Sequence, residues 1–163
     1  MHLPFFGRTR HKRVEALYAE LAAALLAYGR SFGLDHASAE DVVHRVFLGL
    51  LQMRALPGEP RPYLFRAMRN GCLNHLRHHA RREELSDETA WFDHPDSVAE
   101  LDLRRSLAQL PAEQRDVLML HIWGGLTFGE TASALDIPAS TAASRYRYAL
   151  ASLKNTMMPK EKA

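Results

Sequence analysis

Residues 127–150 have the sequence TFGETASALDIPASTAASRYRYAL, and this stretch decides the fold of the chain. Thr127 and Glu130 have the spacing of a capping box, in which each side chain bonds a main-chain N–H of the other at a helix start. The turn at 136–138 contains a proline and follows this short helix, and a longer helix is predicted over about 139–155. Two helices joined by so short a turn are typical of a helix-turn-helix.

The last predicted helix has an apolar and a polar face. Its apolar positions are Ala142, Tyr146, Ala149, Leu150 and Leu153. The exposed edge and N-terminal half then hold Ser140, Thr141, Ala143, Ser144, Arg145 and Arg147. A helix-turn-helix contacts bases with that half, and Arg, Ser and Thr can bind base edges or phosphates. On spacing alone, an ordinary solvated helical hairpin is an equal alternative.

Upstream of this stretch, helix signals are strong and strand signals are poor. A helix is predicted over about 11–30, because apolar residues recur at intervals of three and four. These residues are Val14, Leu17, Tyr18, Leu21, Leu25 and Tyr28. A second helix is predicted from Ser38, which can cap it with Asp41, to about Met53. Its apolar face is Val42, Val43, Val46, Phe47, Leu50 and Leu51.

A proline-rich loop over 56–62 separates the second helix from a third. Pro62 is suited to begin the third helix, which is predicted to run from Tyr63 to about Arg82. Its inner side is predicted to contain Leu64, Ala67, Met68, Gly71, Cys72 and Leu76. These three helices form a first module, residues 11–82.

A second helical module is predicted over 97–158, after an acidic linker at 83–96 in which helical periodicity disappears. Ser97 and Glu100 form a capping box for its first helix. Pro111 starts the next helix, whose broad apolar face includes Val117, Leu118, Leu120, Ile122 and Trp123. Gly124 and Gly125 end that helix. The sequence therefore predicts an all-α protein of two small helical domains.

Charge is distributed in blocks, although the net charge is only +2. Residues 61–82 contain six arginines and no acid, and residues 83–102 contain eight acids and no Lys or Arg. Runs of one sign indicate partners of the opposite sign: a polyanion for the arginines and a cationic surface for the acids. The alternative is that the two runs pair with each other.

Several classes of protein are disfavoured. With 163 residues there is no space for a large catalytic barrel, and no nucleophile–base pair, phosphate-binding glycine loop or zinc spacing is present. We therefore expect neither an enzyme nor a bound cofactor. No apolar run is long enough to span a membrane, and the N-terminus does not resemble a secretory signal. With its single cysteine, Cys72, the chain is expected to be cytoplasmic.

Three histidines, His75, His78 and His79, share one face of the third predicted helix. This spacing suggests a metal site, but no carboxylate or cysteine nearby completes a ligand set. We therefore expect no metal there, and we expect the histidines to add partial charge to a nucleic-acid-binding face.

Both modules resemble the extracytoplasmic-function (ECF) sigma factors of the sigma-70 family. Residues 110–115, 125–132 and 135–145 resemble their region four. Residues 17–18, 39–48, 63–70, 76–77 and 81–82 resemble their region two. The two matches occur in the family's order and together cover roughly residues 14 to 155.

The resemblance implies an alternative sigma factor that binds core RNA polymerase and directs promoter recognition, with an anti-sigma factor as a possible partner. It assigns capture of the minus-ten strand to Arg61, Arg66, Arg69, Asn70, Asn74 and Arg77. It assigns polymerase binding to Asp41, His44, Arg45, Phe47 and Leu48. The helix-turn-helix residues named above would contact the minus-thirty-five duplex, and the acidic linker would lie in the cationic channel that later holds RNA.

The chain departs from the family pattern at several positions. His44-Arg45 stands where the family commonly has Gln-Glu, and Ala143 replaces a basic residue of the recognition helix. Asp136 replaces the usual glycine of the turn, and Asn74 an aspartate of the third helix. The first two differences favour an alternative function, a sigma-like regulator that binds an anti-sigma protein without initiating transcription. An ordinary helix-turn-helix regulator would not need the first module or the acidic run.

Overall fold

The computed structural model describes residues 5–80 and 98–158, and within these ranges the chain forms helices and no strands. The first module contains α1 (Phe5–Arg30), α2 (His36–Gln52) and α3 (Pro60–Ala80). The second contains α4 (Val98–Gln109), α5 (Ala112–Ile122), α6 (Phe128–Leu135) and α7 (Ala139–Met157). The all-α prediction is confirmed. The predicted linker at 83–96, Ser97 of the predicted capping box, and the predicted end of the third helix at Arg82 lie outside the described residues.

The first two helices confirm most of the predicted apolar positions, with two corrections. Val14, Leu21, Leu25 and Tyr28 are buried, but Tyr18 is 41% exposed. Its ring lies at the edge of the α1–α2 contact, where an aromatic side chain can be apolar on one side and wet on the other. The N-cap of α2 is Asp35 rather than Ser38: the Asp35 side chain accepts a hydrogen bond from the Ser38 main-chain N–H at 2.7 Å.

Helix α3 begins two residues before the predicted position, at Pro60, and holds Pro62 in its first turn. Both prolines are tolerated there because the first turn of a helix has no partner for its main-chain donors. Leu64, Met68 and Cys72 are buried as predicted. Phe65, which was not predicted to be inside, is also buried.

The second module ends its helices as predicted, although one apolar prediction is wrong. Thr127 and Glu130 form a complete capping box at the start of α6. Asp136 adopts the left-handed conformation with φ 54° and ψ 50°, which an aspartate tolerates better than most residues. Ile122 and Trp123 are exposed rather than buried. They lie at the last turn of α5, whereas its core-facing residues are Val117, Leu118 and Leu120.

The two modules share one continuous apolar core. Phe65 of α3 is buried at the contact, and its Cζ would lie 3.0 Å from a Cβ added at Gly124 of the second module. The Phe65 ring also packs edge-on against Tyr28, with the ring centroids 5.7 Å apart. Modules predicted as separate units are therefore in intimate contact. Of the helices described, none is long and apolar enough to cross a membrane.

Close packing of α3 on α2 predicts opposite effects for two glycine substitutions. A methyl group added at Gly71 would lie 2.5 Å from Val42 Cγ1, and the stiff, branched Val42 side chain can give way only by moving. We expect Gly71→Ala to lower the free energy of unfolding by about 1–3 kcal/mol. At Gly49, within α2, the same methyl group would meet nothing within 4 Å.

Gly49→Ala is therefore the matched control, and we expect it to raise stability by up to about 1 kcal/mol because alanine favours the helix. Urea unfolding followed by circular dichroism measures both changes. Equal effects of the two substitutions would contradict the close approach of α2 and α3.

The buried cysteine predicts slow thiol chemistry. Burial raises the pKa of Cys72 to about 12, and the nearby Asp116 carboxylate adds to the shift. Since only the thiolate reacts, about one thiol in ten thousand is ionised at pH 8. We expect iodoacetamide to modify native Cys72 at least a thousandfold more slowly than the urea-unfolded chain, as measured by mass spectrometry. Modification of the native protein at the rate of a free thiol would contradict this burial.

Candidate nucleic-acid interface

The predicted minus-ten residues all lie on α3, but the structure divides them into two sets. Asn70, Asn74 and Arg77 are exposed to solvent. Arg61, Arg66 and Arg69 instead contact the second module. The set therefore does not form one open surface in this conformation.

Two of these arginines bind main-chain carbonyls of the second module. Arg66 donates from Nε to the Ala134 carbonyl at 3.4 Å and from its terminal nitrogen to the Ser133 carbonyl. Carbonyls in the last turn of a helix such as α6 have no partner within the helix and carry its negative dipole end, so a guanidinium is favoured there. Arg61 donates to the Gly125 carbonyl at 3.4 Å and pairs with Glu20 of α1.

Arg69 takes part in a buried ion pair that spans the modules. Its Nε lies 3.0 Å from Oδ2 of Asp116 on α5, and the Asp116 side chain is only 7% exposed. The Tyr28 hydroxyl donates to the other carboxylate oxygen, Oδ1, at 3.3 Å. Both oxygens of a buried carboxylate are thereby hydrogen-bonded by groups from the first module.

Burial is the main electrostatic cost at this site. It raises the pKa of the Asp116 carboxyl, while the Arg69 guanidinium and the Tyr28 hydroxyl oppose that rise. Burial, reinforced by the Asp116 charge, also raises the pKa of Tyr28 well above its ordinary value. The hydroxyl therefore stays protonated and available as a donor. Sequence analysis missed Asp116 because an acid on a helix with many apolar residues has no signal that distinguishes it from a solvated one.

The helix-turn-helix is held together by an aromatic cluster. The rings of His121, Phe128 and Tyr146 come from α5, the start of α6 and α7, and their centroids are 4.4–5.4 Å apart. The Nδ1 atom of His121 also lies 2.7 Å from the Leu126 carbonyl. These contacts set the angle between the two helices of the motif. Of the three residues, sequence analysis assigned only Tyr146 to the inside.

The recognition helix presents most of its predicted contact residues at the surface. Ser140 and Arg147 are exposed, and Thr141, Ala143 and Ser144 are partly exposed. Arg145 is less free, because its guanidinium pairs with Glu113 at 3.3 Å. The Ser144 hydroxyl donates to the Thr141 carbonyl at 3.0 Å. The N-terminal half of α7 is therefore accessible to a DNA groove, with Arg147 as its exposed cation.

The predicted polymerase-binding residues lie on α2. Asp41, His44 and Arg45 are exposed, and Leu48 is 56% exposed, which is unusual for so large an apolar side chain. Phe47 is instead in the core at 5% exposure. Its ring meets the Tyr18 ring edge-on at 4.9 Å, and Tyr18 lies beside His44. The open surface of α2 thus includes Tyr18, which sequence analysis placed inside.

The histidines of α3 form a cleft with Arg45 and Asn74. The rings of His75 and His79 are stacked 4.9 Å apart. Burial lowers the pKa of His75, and His79 lowers it further, so this ring carries less positive charge than the sequence suggests. Across 5–80 and 98–158, no group of three or more His, Cys, Asp or Glu side chains is arranged to hold a metal ion.

Comparison with known proteins gives matches along most of the chain. The sigma-70 region 2 family matches residues 17–82, and sigma-70 region 4 matches residues 100–153. The ECF RNA polymerase sigma factor SigL of Mycobacterium tuberculosis is 33% identical over 156 residues, covering 88% of each chain.

Two solved structures share the fold. RpoE of Bartonella quintana, in complex with the anti-sigma factor NepR, has a TM-score of 0.77 and 21% identity, over 91% of this chain and 99% of that one. CnrH, in complex with the cytosolic domain of CnrY, has a TM-score of 0.69 and 23% identity, over 93% and 91%. With regions 2 and 4 in order and a relative one-third identical along most of its length, this chain belongs to the ECF sigma factors of the sigma-70 family.

Proposed function

We propose that the chain binds core RNA polymerase and directs it to promoters, with the first module capturing the minus-ten strand and α7 contacting the minus-thirty-five duplex. The observation that carries this proposal is the accessible N-terminal half of α7 in a capped helix-turn-helix, within a chain of the ECF family. A helix presented in this way fits the major groove. The factor acts by binding rather than by catalysis, in the cytoplasm.

The minus-ten assignment is supported by the cations of α3. Capture of a single strand requires positive groups for phosphates and polar groups for an unstacked base. Arg77, Asn70 and Asn74 are exposed for this purpose, and Arg61, Arg66 and Arg69 would add to them when released from the second module. The first module is taken as 11–82 and the second as 97–158, with the acidic linker directed to a cationic channel of polymerase.

The polymerase contact is assigned to the exposed residues of α2. Leu48 offers an apolar side chain, and His44 and Arg45 offer polar and charged groups beside it. Tyr18 belongs to the same surface, and Phe47 acts from below by supporting the Tyr18 ring. An anti-sigma factor is a further candidate partner, since RpoE of Bartonella quintana is bound by NepR.

Run-off transcription with purified core polymerase and genomic DNA of the source organism tests the main proposal. We expect discrete transcripts whose start sites share two upstream elements, and none from core polymerase alone. Retained binding to core polymerase or to an anti-sigma protein without any discrete transcript would contradict promoter direction. That result would support a sigma-like regulator, the function that His44-Arg45 favours.

Arg147→Ala tests the role of α7. Loss of a bidentate contact to a base should weaken holoenzyme binding to the selected promoter by about 1–3 kcal/mol, and the loss should disappear when the upstream element is scrambled. Lys154→Ala removes one positive charge from the last turn of the same helix and is the matched control. Fluorescence anisotropy measures both. Equal losses on both DNA sequences, for both variants, would contradict base recognition by this half of the helix.

A further inference from the structure

Three of the arginines assigned to the minus-ten strand already have acceptors in this structure. Arg66 binds carbonyls at the C-terminal end of α6, Arg61 binds the Gly125 carbonyl, and Arg69 binds Asp116. Carboxylates and carbonyl oxygens occupy the same guanidinium donors that DNA phosphates would use. The second module and a DNA strand therefore compete for the same groups.

The ion pair of Arg69 and Asp116 is the contact best suited to hold the modules together. Both carboxylate oxygens of Asp116 accept hydrogen bonds from the first module, one from Arg69 and one from Tyr28. If the modules separate, the carboxylate loses both donors at once. In the closed form, the loss of one donor leaves a buried charge without its full set of hydrogen bonds, which is costly.

An apolar seam protects this polar contact from water. Phe65 is buried between the two arginines in sequence, Arg61 and Arg69, and packs against Tyr28 and beside Gly124. Desolvation strengthens the attraction between a guanidinium and a carboxylate. The seam and the ion pair therefore support each other.

We propose that this conformation is a closed, self-masked state of the factor, in which Asp116 acts as a latch by holding Arg69 away from DNA. Opening the interface between α3 and the second module frees Arg61, Arg66 and Arg69 together. The latch rests on the proposed function, because it takes these arginines as DNA-binding groups. Asp116 itself has no part in the assigned DNA or polymerase surfaces, so it can be changed without altering them.

Asp116→Asn is the decisive variant, since asparagine keeps the size of the side chain and removes its charge. Tyr28→Phe removes the second hydrogen bond from the first module while the ring still fills its place. Asp102→Asn is the matched control: Asp102 is an exposed acid of the second module whose ion pair with Arg105 lies within α4. Melting temperatures and circular dichroism check that all three variants fold.

Opening is measured by energy transfer between dyes attached to Glu15→Cys on α1 and Ala151→Cys on α7, both exposed positions. The native cysteine, Cys72, is buried and does not compete for the dyes. Binding is measured by anisotropy with a short, fluorescein-labelled single DNA strand of random sequence. Neither measurement needs polymerase or a known promoter.

We expect Asp116→Asn to lower transfer efficiency and to tighten strand binding roughly tenfold to a hundredfold, the value of a charged hydrogen bond. Tyr28→Phe should act in the same direction by roughly twofold to tenfold. Asp102→Asn should match the original chain in both measurements.

Unchanged transfer in both Asp116→Asn and Tyr28→Phe would overturn the latch, even if the original chain supports promoter-directed transcription. Lower transfer without tighter strand binding would overturn the masking of the arginines. Conversely, opening and tighter binding in a chain that yields no promoter-directed transcript would leave the latch standing and contradict the proposed function. Because Tyr28 lies in the first module, its variant decides the matter if Asp116→Asn fails to fold.

Discussion

A buried carboxylate determines how the two halves of this chain meet. Asp116 lies on α5, but the donors to its side-chain oxygens, Arg69 and Tyr28, belong to α3 and α1. Without them, burial of the charge would be prohibitive. The position of α5 against the first module follows from this requirement. With α5 in place, Phe65 is covered by Gly124, and Arg66 reaches the C-terminal end of α6.

The consequence for DNA binding is an asymmetry between the two candidate surfaces. The N-terminal half of α7 faces solvent, and its orientation depends on contacts within the second module, among His121, Phe128 and Tyr146. The arginines of α3 are instead shared between two uses, since the acceptors that they bind here are equivalent to phosphates. A sigma factor built in this way would couple the relative position of its modules to its affinity for a single strand.

Much of the fold follows from local rules that a sequence displays. The capping box of Thr127 and Glu130 and the left-handed turn at Asp136 depend only on neighbouring residues, and both occur as predicted. The errors have a common cause. Tyr18, Trp123 and Phe65 are all apolar residues on amphipathic helices, and the helical period alone does not define how wide the covered face is. Packing partners decide that width.

The sequence by itself determined the helices, their ends and the family, because capping, periodicity and motif order are properties of short segments. The charge blocks could also be read directly, but not the partners of their members. Only the tertiary structure decided that Arg66 and Arg69 face the second module while Arg77 and Arg147 face solvent. The reason is physical: a guanidinium binds whichever acceptor the fold brings within hydrogen-bond distance, and contacts between residues 47 or more positions apart, such as Arg69 and Asp116, leave no local pattern.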